Sequence, residues 1–151
     1  MKRLWLIALI LILLGGCQTG GVQKETETSQ MMMPQEEETV KINDSDFVAD
    51  VTIPDNSFID PGEAFVKTWR IRNTGDTTWK DYKFVFTRGD QLGAPDSVNV
   101  PETEPGESVN IDVKMKAPEK FGTYTGWWQM QSDEGDNFGD LVWVLIKVGK
   151  P

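Results

Sequence analysis

The chain has no histidine and a single cysteine, Cys17, among its 151 residues. Without an imidazole, neither a Ser-His nor a Cys-His nucleophile can be assembled, so the usual routes to covalent catalysis are closed. One cysteine cannot form an internal disulfide, and whatever folds must be held by its apolar core. Basic residues are also scarce: 15 Lys and Arg face 24 Asp and Glu, for a formal charge of −9. A nucleic-acid partner is not expected, because displacing counterions from phosphates requires a basic face. Strong charge attraction to anionic lipid is excluded for the same reason. Long apolar runs are missing as well, apart from residues 4–14, LWLIALILILL. At 1.5 Å per residue this run covers only about 16 Å, short of the roughly 20 residues that a membrane span requires.

What the run does have is context. Lys2 and Arg3 precede it, and Leu14-Gly15-Gly16-Cys17 ends it. A short positive region, an apolar stretch and small residues make a secretory signal peptide. The last four residues resemble a bacterial lipobox, in which a peptidase cuts before a cysteine that carries a diacylglyceryl group. The resemblance makes residues 1–16 a lipoprotein signal peptide and Cys17 the lipidation site. The membrane is then a partner through lipid, since each buried methylene contributes about 0.8 kcal/mol and two chains hold where one is marginal. The chain is expected on a bacterial cell membrane or outer membrane, with its folded part outside the cytoplasm. Gln18 is not the aspartate that retains many such proteins at an inner membrane.

Residues 17–44 follow as the lipidated cysteine and an acidic linker rich in Gly, Thr, Gln and Glu, too poor in branched and aromatic residues to fold. As a flexible coil, this tether has a root-mean-square span of roughly 30 Å. Its Met31-Met32-Met33 triplet makes a poor metal site, because thioethers are without His or Cys support. Asn43-Asp44-Ser45 is a glycosylation-type sequon that carries no weight in a bacterial lipoprotein.

From Ser45 the composition changes, and residues 45–151 read as one all-β domain. The clearest strand is residues 109–116, where Val109, Ile111, Val113 and Met115 share one face and polar residues the other. Such alternation marks a half-buried antiparallel strand. Asp60-Pro61-Gly62-Glu63 and Glu104-Pro105-Gly106-Glu107 are type II turns, with proline fixing the second residue and glycine supplying positive φ. Further strands are expected at 47–53, 64–73, 82–88, 97–100, 123–131 and 138–148. About seven strands in this length suit an immunoglobulin-like antiparallel β-sandwich. Parity puts Phe65, Trp69 and Ile71 on one face together with Lys67, which must reach an edge or a partner. It also puts Tyr124, Gly126, Trp128 and Met130 on the face opposite Thr125, Trp127, Gln129 and Gln131.

Trp127 is therefore expected to point outward, and Trp127, Thr125, Gln129 and Gln131 form the candidate binding surface. An outward aromatic among amides and hydroxyls suits a protein hot spot or a sugar-stacking platform. Packing under a neighbouring loop or the tether is the plainer alternative. Asp81 and Tyr82 are placed on the same side. Asp133-Glu134-Gly135-Asp136-Asn137 reads as a hairpin turn, because it lacks the spacing and closing glutamate of a calcium loop. No catalytic residue, metal ligand or cofactor is assigned.

The segments FVADVTIPDNSFIDPGEAFVKTWRIRNTGDTTW, GDQLGAP, VPETEPGESVNIDVKMKAP, GTYTGWWQM and FGDLVWVLIKV resemble, in order, the four-tryptophan immunoglobulin-like domain of the Next-to-BRCA-one family. By position, Trp69, Trp79, Trp128 and Trp143 match the four signature tryptophans, and the resemblance implies that they pack inside the sandwich. It also implies a module for protein-protein contact. The tripeptide Arg88-Gly89-Asp90 sits inside this segment and is read as incidental to adhesion. The resulting expectation is an envelope-anchored, non-enzymatic lipoprotein that presents an immunoglobulin-like module to an unidentified protein partner. A cell-wall or surface glycan bound through exposed aromatics, and a structural spacer or accessory subunit, are the alternatives.

Overall fold

The computed structural model describes residues 40–151. The expected signal peptide, Cys17 and most of the tether, including the methionine triplet, lie outside the described residues. Eight strands follow one another: β1 (Ser45–Asp50), β2 (Ser57–Ile59), β3 (Ala64–Asn73), β4 (Lys83–Gly89), β5 (Ser97–Asn99), β6 (Ser108–Lys116), β7 (Gly122–Gln131) and β8 (Asn137–Val148). They form two sheets, ordered β1-β3-β6 and β2-β8-β7-β4-β5. This is an immunoglobulin-like β-sandwich without a disulfide.

Alternation generates the core. In β6, Ile111, Val113 and Met115 are buried while Asn110, Asp112, Lys114 and Lys116 are exposed. Trp69 from one sheet meets Phe84 and Trp128 from the other, with ring centroids 5.3 and 6.2 Å away. Trp79 lies between strands, pairs its backbone with Thr103 and packs its ring 6.0 Å from Phe138. Trp69, Trp79 and Trp128 are fully buried. Both proline-glycine turns form as expected: Gly62 and Gly106 have φ of 70° and 83°. The Glu63 and Glu107 amides donate back to the Asp60 and Glu104 carbonyls at 3.1 and 3.0 Å.

Three details depart from the sequence expectation. The first strand stops at Asp50 rather than running to Ile53, and a further short strand, β2, appears beyond it. β1 is antiparallel to β3 in one sheet, whereas β2 runs parallel to β8 in the other, so the sandwich is not wholly antiparallel. The chain changes sheets across residues 51–56, where Ile53 and Asn56 take positive φ on either side of Pro54 and Asp55. Pro54 offers no ladder donor, which suits a crossover better than a continuous strand. Upstream, the domain's hydrogen bonding begins before Ser45: the Ile42 carbonyl accepts from the Asp76 amide at 3.1 Å, and the Asn43 side chain accepts from the Tyr82 hydroxyl at 2.8 Å.

Lys67 resolves the anomaly on the inner face of β3. Its side chain is 0% exposed, and its ammonium donates to Asp50 Oδ1 at 2.6 Å and to the Ile53 carbonyl at 2.7 Å. A buried cation is tolerated only when paired and hydrogen-bonded. The pair ties the end of β1 and the start of the crossover to the core.

Candidate binding face

The outer face of the five-stranded sheet carries an aromatic row. In the β7–β8 ladder Trp127 lies directly opposite Trp143, and their ring centroids are 5.2 Å apart at 51°. Such cross-strand aromatic pairs contribute beyond their buried area. On the β4 side Arg88 is paired with Trp127, and its guanidinium sits 4.7 Å from the Trp127 ring centroid. On the other side the Trp143 indole donates to Asp55 Oδ2 at 3.0 Å. The row Arg88, Trp127, Trp143, Asp55 thus crosses three strands and ends on the crossover between β1 and β2, with a charge of opposite sign at each end.

Trp127 points away from the core, as parity requires, and is half-buried by its two neighbours. Its companions on β7 are more occupied. Gln129 donates its amide to the Gly139 carbonyl at 2.9 Å, and Gln131 donates to Asn137 Oδ1 at 3.0 Å. The Thr125 amide donates to Asp90 Oδ2 at 2.9 Å. Arg88-Gly89-Asp90 is therefore committed to the β4–β7 junction, Arg88 by stacking and Asp90 by hydrogen bonding.

Trp143 does not pack inside the sandwich. It is 42% exposed, because Val142, Val144, Ile146 and Val148 take the inward positions of β8 and put Trp143 on the opposite face. Its backbone still serves the core, since its carbonyl accepts from the Trp69 indole at 3.1 Å. Alternation along β8 sets Trp143 opposite Val142 and Val144 but does not say which of the two apolar faces is inward.

Asp81 and Tyr82 do not line this face either. Tyr82 is buried, with its ring 5.7 Å from Phe138, and Asp81 is exposed with φ of 61°. Burial raises the Tyr82 phenol above its ordinary value, the hydrogen bond to Asn43 offsets part of this, and the Asp133 and Glu134 carboxylates push it up further. The unfolded chain then loses this proton at lower pH than the folded chain does. The stabilising contribution of the neutral phenol is complete below about pH 10 and is lost as the pH rises beyond it. Urea unfolding between pH 8 and 11 is expected to show a steeper loss of stability above pH 10 in the wild type than in Tyr82→Phe. Parallel curves would contradict the assignment. The neighbouring residues 133–137 form the expected hairpin turn, closed by the Ser132 amide on the Asp136 carbonyl at 2.9 Å.

Beside Trp143 the outer face runs into a groove of about 320 Å³ between β1 and β8. Phe47 and Trp143 are aromatic walls, Leu141 adds apolar surface, and Asp50, Asp55 and Asp140 bring carboxylates to its rim. The groove exists because the chain leaves β1 before it joins β8. β2 pairs with β8 only at Ile146–Val148, and the preceding half of β8 is packed by β1 without strand pairing: Ser45 lies against Gly139, and the Phe47 amide donates to Asp140.

The sequence profile of the family described as "Ig-like domain from next to BRCA1 gene" matches residues 52–148. The chain belongs to that family. Protein ILRUN of Danio rerio is 38% identical over 103 residues, which cover 68% of this chain and 36% of that protein. Protein NBR1 homolog of Arabidopsis thaliana is 36% identical over 110 residues, covering 70% and 16% respectively. Next to BRCA1 gene 1 protein of Homo sapiens is 37% identical over 103 residues, covering 66% and 11%. The chain thus spans about a third of the zebrafish protein and less than a fifth of the other two. Within this next-to-BRCA1 Ig-like domain the profile match begins at Thr52, after β1, so Phe47 and Asp50 lie upstream of the matched segment.

Proposed function

We propose that this chain is a non-enzymatic binding module, held at a bacterial envelope by lipid on Cys17, that engages a protein partner through the outer face of its larger sheet. The observation that carries the reading is the outward Trp127–Trp143 pair, Trp143 exposed and Trp127 half-buried, flanked by Arg88 and Asp55. Rigid aromatics with adjacent polar groups supply most of the energy at protein interfaces, and truncating such an anchor costs 2 kcal/mol or more, roughly thirtyfold in affinity. A similar protein of Schizosaccharomyces pombe is named an autophagy receptor, at 35% identity over 99 residues covering 25% of its length. That name supports a binding role in general and carries no partner over to this chain.

The test is affinity capture from detergent-solubilised envelope with the full chain as wild type and as Trp127→Ala/Trp143→Ala. A saturable, protease-sensitive partner retained by wild type and at least tenfold weaker with the double variant supports the reading. Equal capture by both forms refutes this face. In the same cells Cys17→Ser is expected to move the protein from the membrane to the soluble fraction, and unchanged fractionation would refute the lipid anchor. A glycan is the second reading, favoured by the same two outward indoles; its binding would survive protease treatment of the target.

A further inference from the structure

We infer that the groove between β1 and β8 receives a lysine or arginine side chain from an extended segment of the protein partner. The inference rests on the protein-binding reading above and adds the chemistry of what is recognised.

Walls, rim and surroundings lead to the same occupant. Phe47 and Trp143 are 43% and 42% exposed and line the same cavity, so each offers an aromatic surface to whatever enters. An aliphatic stem packs on such surface, and a cationic head is attracted to ring faces, more strongly once desolvated. The rim is anionic. Asp55 and Asp140 each use one oxygen within the chain: Asp55 accepts from the Trp143 indole, and Asp140 Oδ2 accepts from the Phe47 amide at 2.9 Å. Neither has a basic partner, because among the described residues the one ion pair within 4.0 Å is Lys67–Asp50. Lys67 is fully buried beneath, so it cannot fill the groove itself.

The size also fits. About 320 Å³ holds one long side chain and part of its backbone, and is too small for a folded element. Leu141 to Trp143 of β8 have no ladder partner on that side, and the groove beside them is open to a side chain presented by an extended segment. An anionic or neutral polar side chain would leave Asp55 and Asp140 uncompensated or repelled, and an apolar one would strip their water without replacing it.

The test uses the isotope-labelled full chain in detergent and three capped tripeptides, acetyl-Gly-X-Gly-amide, with X as lysine, arginine or norleucine. Norleucine keeps the stem of lysine and removes its charge. Backbone and indole NMR signals of Phe47, Asp140 and Trp143 are followed during titration. The lysine and arginine peptides are expected to shift these signals saturably, with norleucine at least tenfold weaker. Asp55→Asn/Asp140→Asn keeps an acceptor for both internal hydrogen bonds and removes both charges. It is expected to retain the wild-type spectrum elsewhere and to lose at least tenfold in affinity for the basic peptides. Equal binding of norleucine, unchanged binding by the double variant, or shifts confined to other surfaces would each overturn the inference. Capture of a partner dependent on Trp127 and Trp143 could persist in those cases, which would separate failure of the groove from failure of the protein-binding reading.

Discussion

Trp69→Ala is expected to unfold the domain or to lower its melting temperature by at least about 12 °C. Two losses combine at this residue. Removing a buried tryptophan costs about 3–5 kcal/mol, a large share of the 5–15 that holds a typical domain. In a domain of this size each kcal/mol corresponds to about 4 °C or more. The void opens where the two sheets meet, because the Trp69 ring is the one that touches both Phe84 and Trp128. The Trp143 carbonyl also loses its indole donor, a part-buried hydrogen bond of the kind that contributes about 1 kcal/mol. Trp69→Phe keeps a ring and loses the donor, so it should fall between the variant and wild type. Calorimetry of the three proteins checks the order, and a Trp69→Ala melting temperature within a few degrees of wild type would contradict it.

Asp50→Ala should be nearly as damaging, and for an electrostatic reason. It strands the Lys67 ammonium in the core with no counter-charge, leaving it the Ile53 carbonyl and the face of the Trp69 ring 5.3 Å away. Breaking a buried pair from one side typically costs about 3–5 kcal/mol, since an uncompensated charge remains. The reverse change is expected to be mild. Lys67→Met fills much of the same volume, and the Asp50 side chain, 23% exposed, can turn to water. Replacing a buried ion by a hydrophobic residue of similar volume is often neutral or stabilising. Urea denaturation should therefore rank Asp50→Ala far below Lys67→Met, with the double variant recovering most of the loss. Equal costs for the two single changes would mean that the pair's charge is not what matters at this position.

The two results bear on the proposed surface as well. Asp50 both neutralises Lys67 and lines the groove, so β1 is held in place by the same carboxylate that contributes to the rim. Asp55 and Asp140 are free of that structural duty, which makes them the residues to change when binding is tested.

Much of the fold was legible in the chain itself, because its signals are local. The alternation of Val109 to Met115 defines a strand with one wet face, and Pro61-Gly62 and Pro105-Gly106 define turns, without reference to anything distant. Parity also turned Trp127 outward and showed that Lys67 needed a partner. Neither the identity of that partner nor the place where the first strand would break was legible, since both depend on how β1 meets β3 and β2 meets β8.

The clearest limit is Trp143. Both faces of β8 are rich in apolar residues, with Leu141, Trp143 and Leu145 alternating against Val142, Val144 and Ile146. Period-two alternation separates two faces but cannot say which one meets the core when both are apolar. By itself the sequence determined seven of the eight strands in outline, the turns, the lack of a disulfide and an outward Trp127. Tertiary structure alone decided that Trp143 stands outside beside Trp127, that Asp50 answers Lys67, and that a groove opens between β1 and β8. These follow from pairing between strands far apart in the chain, where register and sheet choice set which side chains meet.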